Sequence, residues 1–326
     1  MPNLFAHNLL VKRFSVKEKE IDARYPEFDS FLKGNFDYLA LGTQGPDPLF
    51  YMGIIPFKGL HLPTAMKKIG NKIHKQDGKK YFRFLIDQCH SIDFVNQTDN
   101  EQKRFKAFIF GQFAHYLLDR ETHPYVLYMS GFDSDGRITG KYHYEHAHFE
   151  AKIDYCLAKQ YKMEFFLKNP ASILPDRIGP LRVIDSHLVP VLKRLFDEKK
   201  LPKKMYSNGL NNFRFWQKFS NGGSNARVFF FGKSSLSATR LPKEVNEDVL
   251  NLKKEIWLDP VTGVKHNESF LDLQTKAYDL LVSLYEDIIR YGFNYETFSK
   301  YIDGRNYYGT SLSSKWVHKK EDEIKK

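Results

Sequence analysis

The chain has 326 residues, enough for about two average domains or one large one. Apolar residues make up 42% and charged residues 27%, which excludes wholesale disorder. With no run of about 18 apolar residues, a membrane-spanning helix is excluded too. The two cysteines, Cys89 and Cys156, cannot build a disulfide scaffold or a four-thiolate metal site. A net charge of +11 favours anionic partners, such as phosphates, nucleic acid or an acidic lipid surface, but names no function.

In chain order the pattern predicts helices over 3–14, 66–74 and 80–94, with the Gly/Pro-rich GTQGPDP stretch (42–48) breaking regular structure between the first two. The most periodic segment, 102–119, predicts a helix that Pro124 stops. A loop over 131–140 and a helix over 142–162 follow. In the second half, 182–195, 244–256 and 269–291 read as helices, and 226–232 as a strand or helical turn. The fold class is therefore all-α. No repeat or low-complexity linker divides the chain. The chemistry is confined to 1–165, and 166–326 is expected to complete the same helical unit and buttress it.

Six of the twelve histidines fall between His90 and His148. In FAHYLLDRETHPY, His115, Asp119 and His123 stand four apart, which places all three along one stripe of a helix. A His and a carboxylate at this spacing reach one metal ion, and the third residue serves a second. HYEHAHFEAKID repeats the pairing in His146 and Glu150. Facing helices that each present such a pair are a usual way to build a metal site inside a bundle. His143 and Asp154, one turn before His146 and after Glu150, are placed behind the ligands, orienting them. His148 points away, and His74, His187, His266 and His318 have no partner pattern and read as ordinary histidines.

These motifs, together with His7 in LFAHNLL, the GPDP turn with Asp47, and His61 in KGLHLP, resemble the zinc-dependent phospholipase C family. Its helical fold is shared with fungal single-strand-specific nucleases. Asp47 and His61 are 14 residues apart, the family spacing. The resemblance implies two or three zinc ions. His61, His115, Asp47 and Asp119 would hold one. His123, His146 and Glu150 would hold a second, and His7 with a bridging Asp119 a third. The family completes that third site with its mature N-terminal residue. Here that predicts loss of Met1 and ligation by the amine of Pro2. Asp47 is implied to orient or deprotonate the attacking water.

The implied activity is hydrolysis of a phospholipid or another phosphodiester by metal-activated water, with transient contact at a membrane surface. Choline-specific relatives place aromatics where this chain has Pro48 and Lys58. Lys58 is thus a candidate contact for a second anionic group. The alternatives are a nuclease or nucleotidase of the same fold, with nucleic acid as substrate, and a non-catalytic metal-binding or membrane-surface protein. The N-terminus shows no secretory signal pattern, which predicts a cytoplasmic location.

Overall fold

A computed structural model describes residues 4–52, 69–174, 181–221 and 239–323. The expectations at Pro2, Lys58, His61 and the 226–232 segment lie outside these residues. The chain folds as an all-α protein, whose one two-stranded sheet among the described residues pairs Trp257–Leu258 with Lys265–His266.

The frame is set by α6 (Asp99–Ser130), 32 residues long and so about 48 Å from end to end. Thr98 and Glu101 open it with a reciprocal capping box. From Phe105 to Tyr128 it is buried on nearly every side, so it behaves as the core's axis rather than as an amphipathic wall. Around it pack α1 (Leu4–Arg24), α2 (Phe36–Gly42), α7 (Lys141–Gln160), α9 (Arg182–Phe196) and α11 (Phe270–Tyr291). The closest approach is of α2 to α6, at Gly42 and Gly111. A Cβ on Gly111 would lie 2.4 Å from the Leu39 carbonyl oxygen, so only glycine lets the helices touch there. One continuous apolar core runs from Leu4 to Tyr307 and draws on both halves of the chain.

Three sequence expectations need correction. Pro124 does not stop α6, which runs six residues further. A proline inside a helix costs about 3 kcal/mol. Beyond it, however, Tyr125, Val126, Leu127 and Tyr128 are buried. Each buried side chain of this kind returns roughly 1.5–3 kcal/mol. The Tyr125 hydroxyl also donates to the Val249 carbonyl at 3.0 Å. Second, the expected helix over 244–256 is a series of turns. Asp248 accepts from the backbone of Leu252 and Lys253, Asn251 binds Glu255 and Glu268, and Asn251 and Lys254 take positive φ. Short polar side chains here compete successfully with the helix ladder. Third, the expected helix over 80–94 is two, α4 (Lys79–Gln88) and α5 (Ile92–Val95), separated where Ser91 caps the second.

A helix the sequence reading passed over, α10 (Met205–Asn221), packs against the Asp47–Tyr51 turn. No described helix is long and apolar enough to cross a membrane.

Candidate metal centre

Five elements deliver polar side chains to one buried point. The N-terminus of α1 brings His7, and its position is fixed by Asp154 of α7. That carboxylate accepts from the Phe5 and Ala6 amides at 2.9 and 3.0 Å, satisfying donors that the first helical turn leaves open. Burial pushes the Asp154 carboxyl up to about 8, against the pull of those amides. Asp154 thus holds the first turn of the helix that carries His7.

The 3₁₀ turn Asp47–Tyr51 brings Asp47. The α6 helix brings His115, Asp119 and His123, and α7 brings His146 and Glu150. All seven of these expected residues are buried. A further one joins them: His74, the last residue of α3 (Ile69–His74). Its Nε2 lies 3.2 Å from Asp47 Oδ1 and 3.7 Å from Asp119 Oδ2. No local pattern in the sequence joins it to Asp47; in the fold Ile69, Gly70, Ile73 and His74 share the buried face of this short helix.

The side chains fall into three groups whose ligand atoms lie within 4.8 Å of one another. They are His7, His115 and Asp119; Asp47, His74 and His115; and His123, His146 and Glu150. Asp119 links them. Its Oδ1 is 3.2 Å from His7 Nε2 and 3.7 Å from His123 Nδ1, and its Oδ2 is 3.1 Å from His115 Nε2. Glu150 Oε1 lies 3.3 Å from His123 Nε2 and 3.4 Å from His146 Nε2. The rings of His7 and His115 stack at 4.0 Å, and those of His123 and His146 are parallel at 5.5 Å.

The imidazoles are held from behind. His115 Nδ1 is 3.0 Å from the Thr43 carbonyl, His74 Nδ1 2.8 Å from Gly70, and His123 Nδ1 3.1 Å from Asp119. Each bond to a carbonyl places a proton on Nδ1 and turns Nε2 toward the carboxylates, where a bound metal would take its lone pair. His115 Nε2 and Asp47 Oδ2 are buried with no hydrogen-bond partner. Orphaned lone pairs in a dry site are costly unless something electropositive joins them. The donor set of imidazole nitrogens and carboxylate oxygens is the one zinc prefers.

Electrostatics agree. Burial alone would raise Asp119, yet His115 and His123 hold it well below the usual carboxylate range. Burial likewise opposes charge on His115, but Asp119 and Asp47 raise it to about 9. His7, buried beside His115, is lowered. Glu150 is held well below its usual range against burial, His146 contributing.

Above the groups opens a cavity of about 810 Å³. His143 lines it as an exposed side chain and makes no hydrogen bond to a ligand candidate among the described residues. His148 stays outside, stacked on Tyr144 at 5.3 Å. One wall was not anticipated from sequence: the turn from Arg305 to Ser311, closed by a single antiparallel bridge between those residues. Asn306 Oδ1 accepts from the Tyr308 and Thr310 amides, and the Tyr307 amide donates to the His74 carbonyl at 3.2 Å. Gly309 takes φ +72°, and a Cβ there would sit 2.4 Å from the Arg120 carbonyl oxygen. Tyr308 then lies over the cavity, its ring centroid 5.4 Å from that of His123 and 6.4 Å from that of His74. A buried carboxylate, Glu121, anchors the turn by binding Arg305 at 2.7 Å and Lys276 at 3.1 Å.

An all-α frame thus converges three buried groups of imidazoles and carboxylates, each able to hold a metal ion, under an open cavity. The sequence profile described as zinc dependent phospholipase C matches residues 5–199, well over half of the chain, and the chain belongs to that family. The matched span contains every ligand candidate named above except Pro2 and ends before the turn at 305–311. No curated protein and no solved structure matches the chain.

Proposed function

We propose that the protein is a zinc-dependent phosphodiesterase that hydrolyses a phospholipid at its glycerol–phosphate bond. The observation that carries this reading is the convergence of three His/carboxylate groups on Asp119 beneath an open cavity. In this reading Asp47, His74, His115 and Asp119 hold one ion. His123, His146 and Glu150 hold a second. His7 and Asp119 contribute to a third. Zinc there supplies Lewis acidity toward phosphoryl oxygens and brings the pKa of a bound water near ~7.

The chain's own residues do the rest. The Nδ1 bonds to Thr43, Gly70 and Asp119 fix the imidazole orientations, so little reorganisation is needed when charge develops on the phosphate. Asp47 keeps one carboxylate oxygen without a hydrogen bond at the cavity floor, which suits it to orient the attacking water and accept its proton. Tyr308 covers the space between His74 and His123, where a phosphate touching both would lie. Residues 1–165 supply the chemistry and 166–326 a wall of the same cleft, so the two halves act as one unit.

The test is elemental analysis of protein purified without added metal, paired with assays on an aryl phosphodiester, a short-chain phospholipid and single-stranded DNA. Two or three zinc ions per chain, and lipid turnover abolished by chelator and restored by Zn²⁺, are expected. A folded, stable protein without metal overturns the reading. Strong DNA cleavage without lipid turnover replaces it with the nuclease alternative.

A further inference from the structure

We propose that the cleft selects phosphodiesters whose head group carries a second anionic group, a phosphomonoester or a carboxylate, bound by Lys72, Lys75 and Arg137. This rests on the phosphodiesterase reading above and adds the substrate class.

Charged side chains of both signs line the cavity. Its carboxylates are Asp47, Asp119 and Glu150, and all three belong to the metal centre. The acidic charge of the cleft is therefore committed to the ions. Apart from histidines, the charged side chains left on the walls among the described residues are Lys72, Lys75 and Arg137, all cationic and all exposed. Lys72 and Lys75 form no ion pair among the described residues. The Lys72 ammonium rests 5.3 Å from the Phe196 ring centroid, a contact that restrains it and leaves its charge intact. Arg137 faces Asp135 at 3.6 Å, a pair exposed on both sides, and lies near Asp133, whose carboxylate is already taken up by its own loop's amides and Thr139. Such pairs are weak and yield readily to a better partner. In the sequence no carboxylate stands between Asp47 and Asp77, whereas five lysines do.

These cations are placed rather than scattered. Lys75 follows His74 directly, and Lys72 lies on the same short helix, so both stand at the rim beside Asp47. Arg137 is held from the other side of the lining. Asp133 accepts from the Arg137 and Asp135 amides at 2.8 and 3.0 Å and from the Thr139 hydroxyl. Gly136 packs against the backbone of Trp316, with space for no side chain. The loop bearing Arg137 is thereby tied to the wall that also carries Tyr308.

A quaternary ammonium head group is disfavoured here by the same charges. Aromatic faces are present in Phe50, Tyr308 and Trp316, and they suit such a group in isolation. No carboxylate is free to balance it, and three cations repel it. An anionic substituent meets the reverse situation, and a lysine or arginine cluster is what binds phosphate and carboxylate oxygens.

The test compares dioctanoyl phosphatidylinositol 4-phosphate with dioctanoyl phosphatidylcholine, using zinc-loaded full-length protein and an aryl phosphodiester as reference. We expect kcat/KM for the anionic lipid to exceed that for the choline lipid at least tenfold. In the combined Lys72→Gln, Lys75→Gln, Arg137→Gln variant that ratio should fall at least fivefold, mostly through KM. Because both substrates are read in one preparation, the ratio cancels losses of fold or metal. The deacylated glycerophospho form of the anionic head group locates the source. Equal turnover assigns the site to soluble diesters, and slow turnover to lipids; both support the anion pocket. Wild type that cleaves the choline lipid as fast, or a variant that keeps the preference, overturns the proposal and leaves the phosphodiesterase reading standing. A zinc-loaded, folded protein inactive on all these diesters overturns both.

Discussion

The ligand-bearing stretch from His7 to Glu150 and the turn from Arg305 to Ser311 border the same cavity, yet they are built by different means. In the first, regular helices do the positioning. A four-residue step on α6 or α7 sets each His beside its carboxylate, and a carbonyl behind most rings fixes the direction of Nε2. In the second, there is no regular element to do so. The turn is shaped by Asn306 bonding its own backbone, by a glycine at positive φ, and by the Glu121–Arg305 anchor. Residue type is therefore dictated by chemistry in the first region and by backbone geometry in the second. The first should fail through loss of metal, and the second through loss of substrate fit with metal retained.

The sharpest break is at Asp119, which lies within 3.7 Å of a histidine of each of the three groups. Asp119→Asn should reduce hydrolysis by more than about 100-fold, beyond what removing an outer partner of a ligand costs. It should also lower zinc content by more than one ion and reduce the melting temperature, since metal binding free energy is folding free energy in such sites. Metal analysis and thermal melts check both. An active Asp119→Asn protein would remove the bridge and the reading built on it.

A second substitution set tests the membership of the ligand shell. His74→Ala and His146→Ala should each lose about one zinc ion and most activity, whereas His148→Ala keeps both. The contrast between His146 and His148 is geometric: Nε2 of the first lies 3.4 Å from Glu150, while the second stacks on Tyr144 outside the cavity. An inactive His148→Ala protein beside an active His146→Ala one would mean a register wrong by two residues.

These residues also mark what the sequence carried. The helices of α1, α6, α7, α9 and α11 were legible because apolar spacing agrees with tertiary packing there. Five of the seven expected ligands that converge do so because i, i+4 spacing on a helix translates directly into geometry, while His7 and Asp47 were legible only through the family resemblance. His74 was not legible, because its partner Asp47 stands 27 positions away with no local pattern to join them. Pro124 misled because burial of the residues beyond it outweighs a local penalty. The 305–311 turn was invisible for a deeper reason: its single Asn and Gly are ordinary loop residues until the fold brings Arg120 and His74 against them.

Protonation offers a third way to sharpen the comparison. In metal-free protein His115 is raised to about 9 by Asp119 and Asp47, against the opposing effect of burial. A raised histidine contributes stability that is complete below its unfolded value near 6.5 and disappears as pH rises through the folded value. His7 and His146, both lowered by burial, act oppositely but only below 6.5. Chelator-treated protein should therefore lose melting temperature between pH 6.5 and 9. Zinc-loaded protein should not, because bound imidazoles are already deprotonated. A flat or rising apo profile across that window would contradict the ion-pair geometry of the centre.

The smallest expected effect isolates the other wall. Gly309→Ala places a methyl group at φ +72°, where an L-residue costs roughly 1–2 kcal/mol. The methyl would also lie 2.4 Å from the Arg120 carbonyl and 2.6 Å from the Pro124 ring, so the turn must move away from α6. Tyr308, one residue earlier, moves with it. No ligand candidate lies on the turn; it meets the ligand helices through the Tyr307 amide on the His74 carbonyl, the Tyr307 and Tyr308 rings beside His74 and His123, and Arg305 on Glu121, and none of these hydrogen-bonds an Nε2 or carboxylate oxygen of the centre. We therefore expect a melting temperature lower by a few degrees, a several-fold rise in KM for a phospholipid, and unchanged zinc content. Calorimetry, steady-state kinetics and metal analysis on one preparation separate the three quantities. Zinc loss in Gly309→Ala would show that the turn holds the metal centre together. Unchanged KM would show that Tyr308 overlies the cavity without touching what enters it.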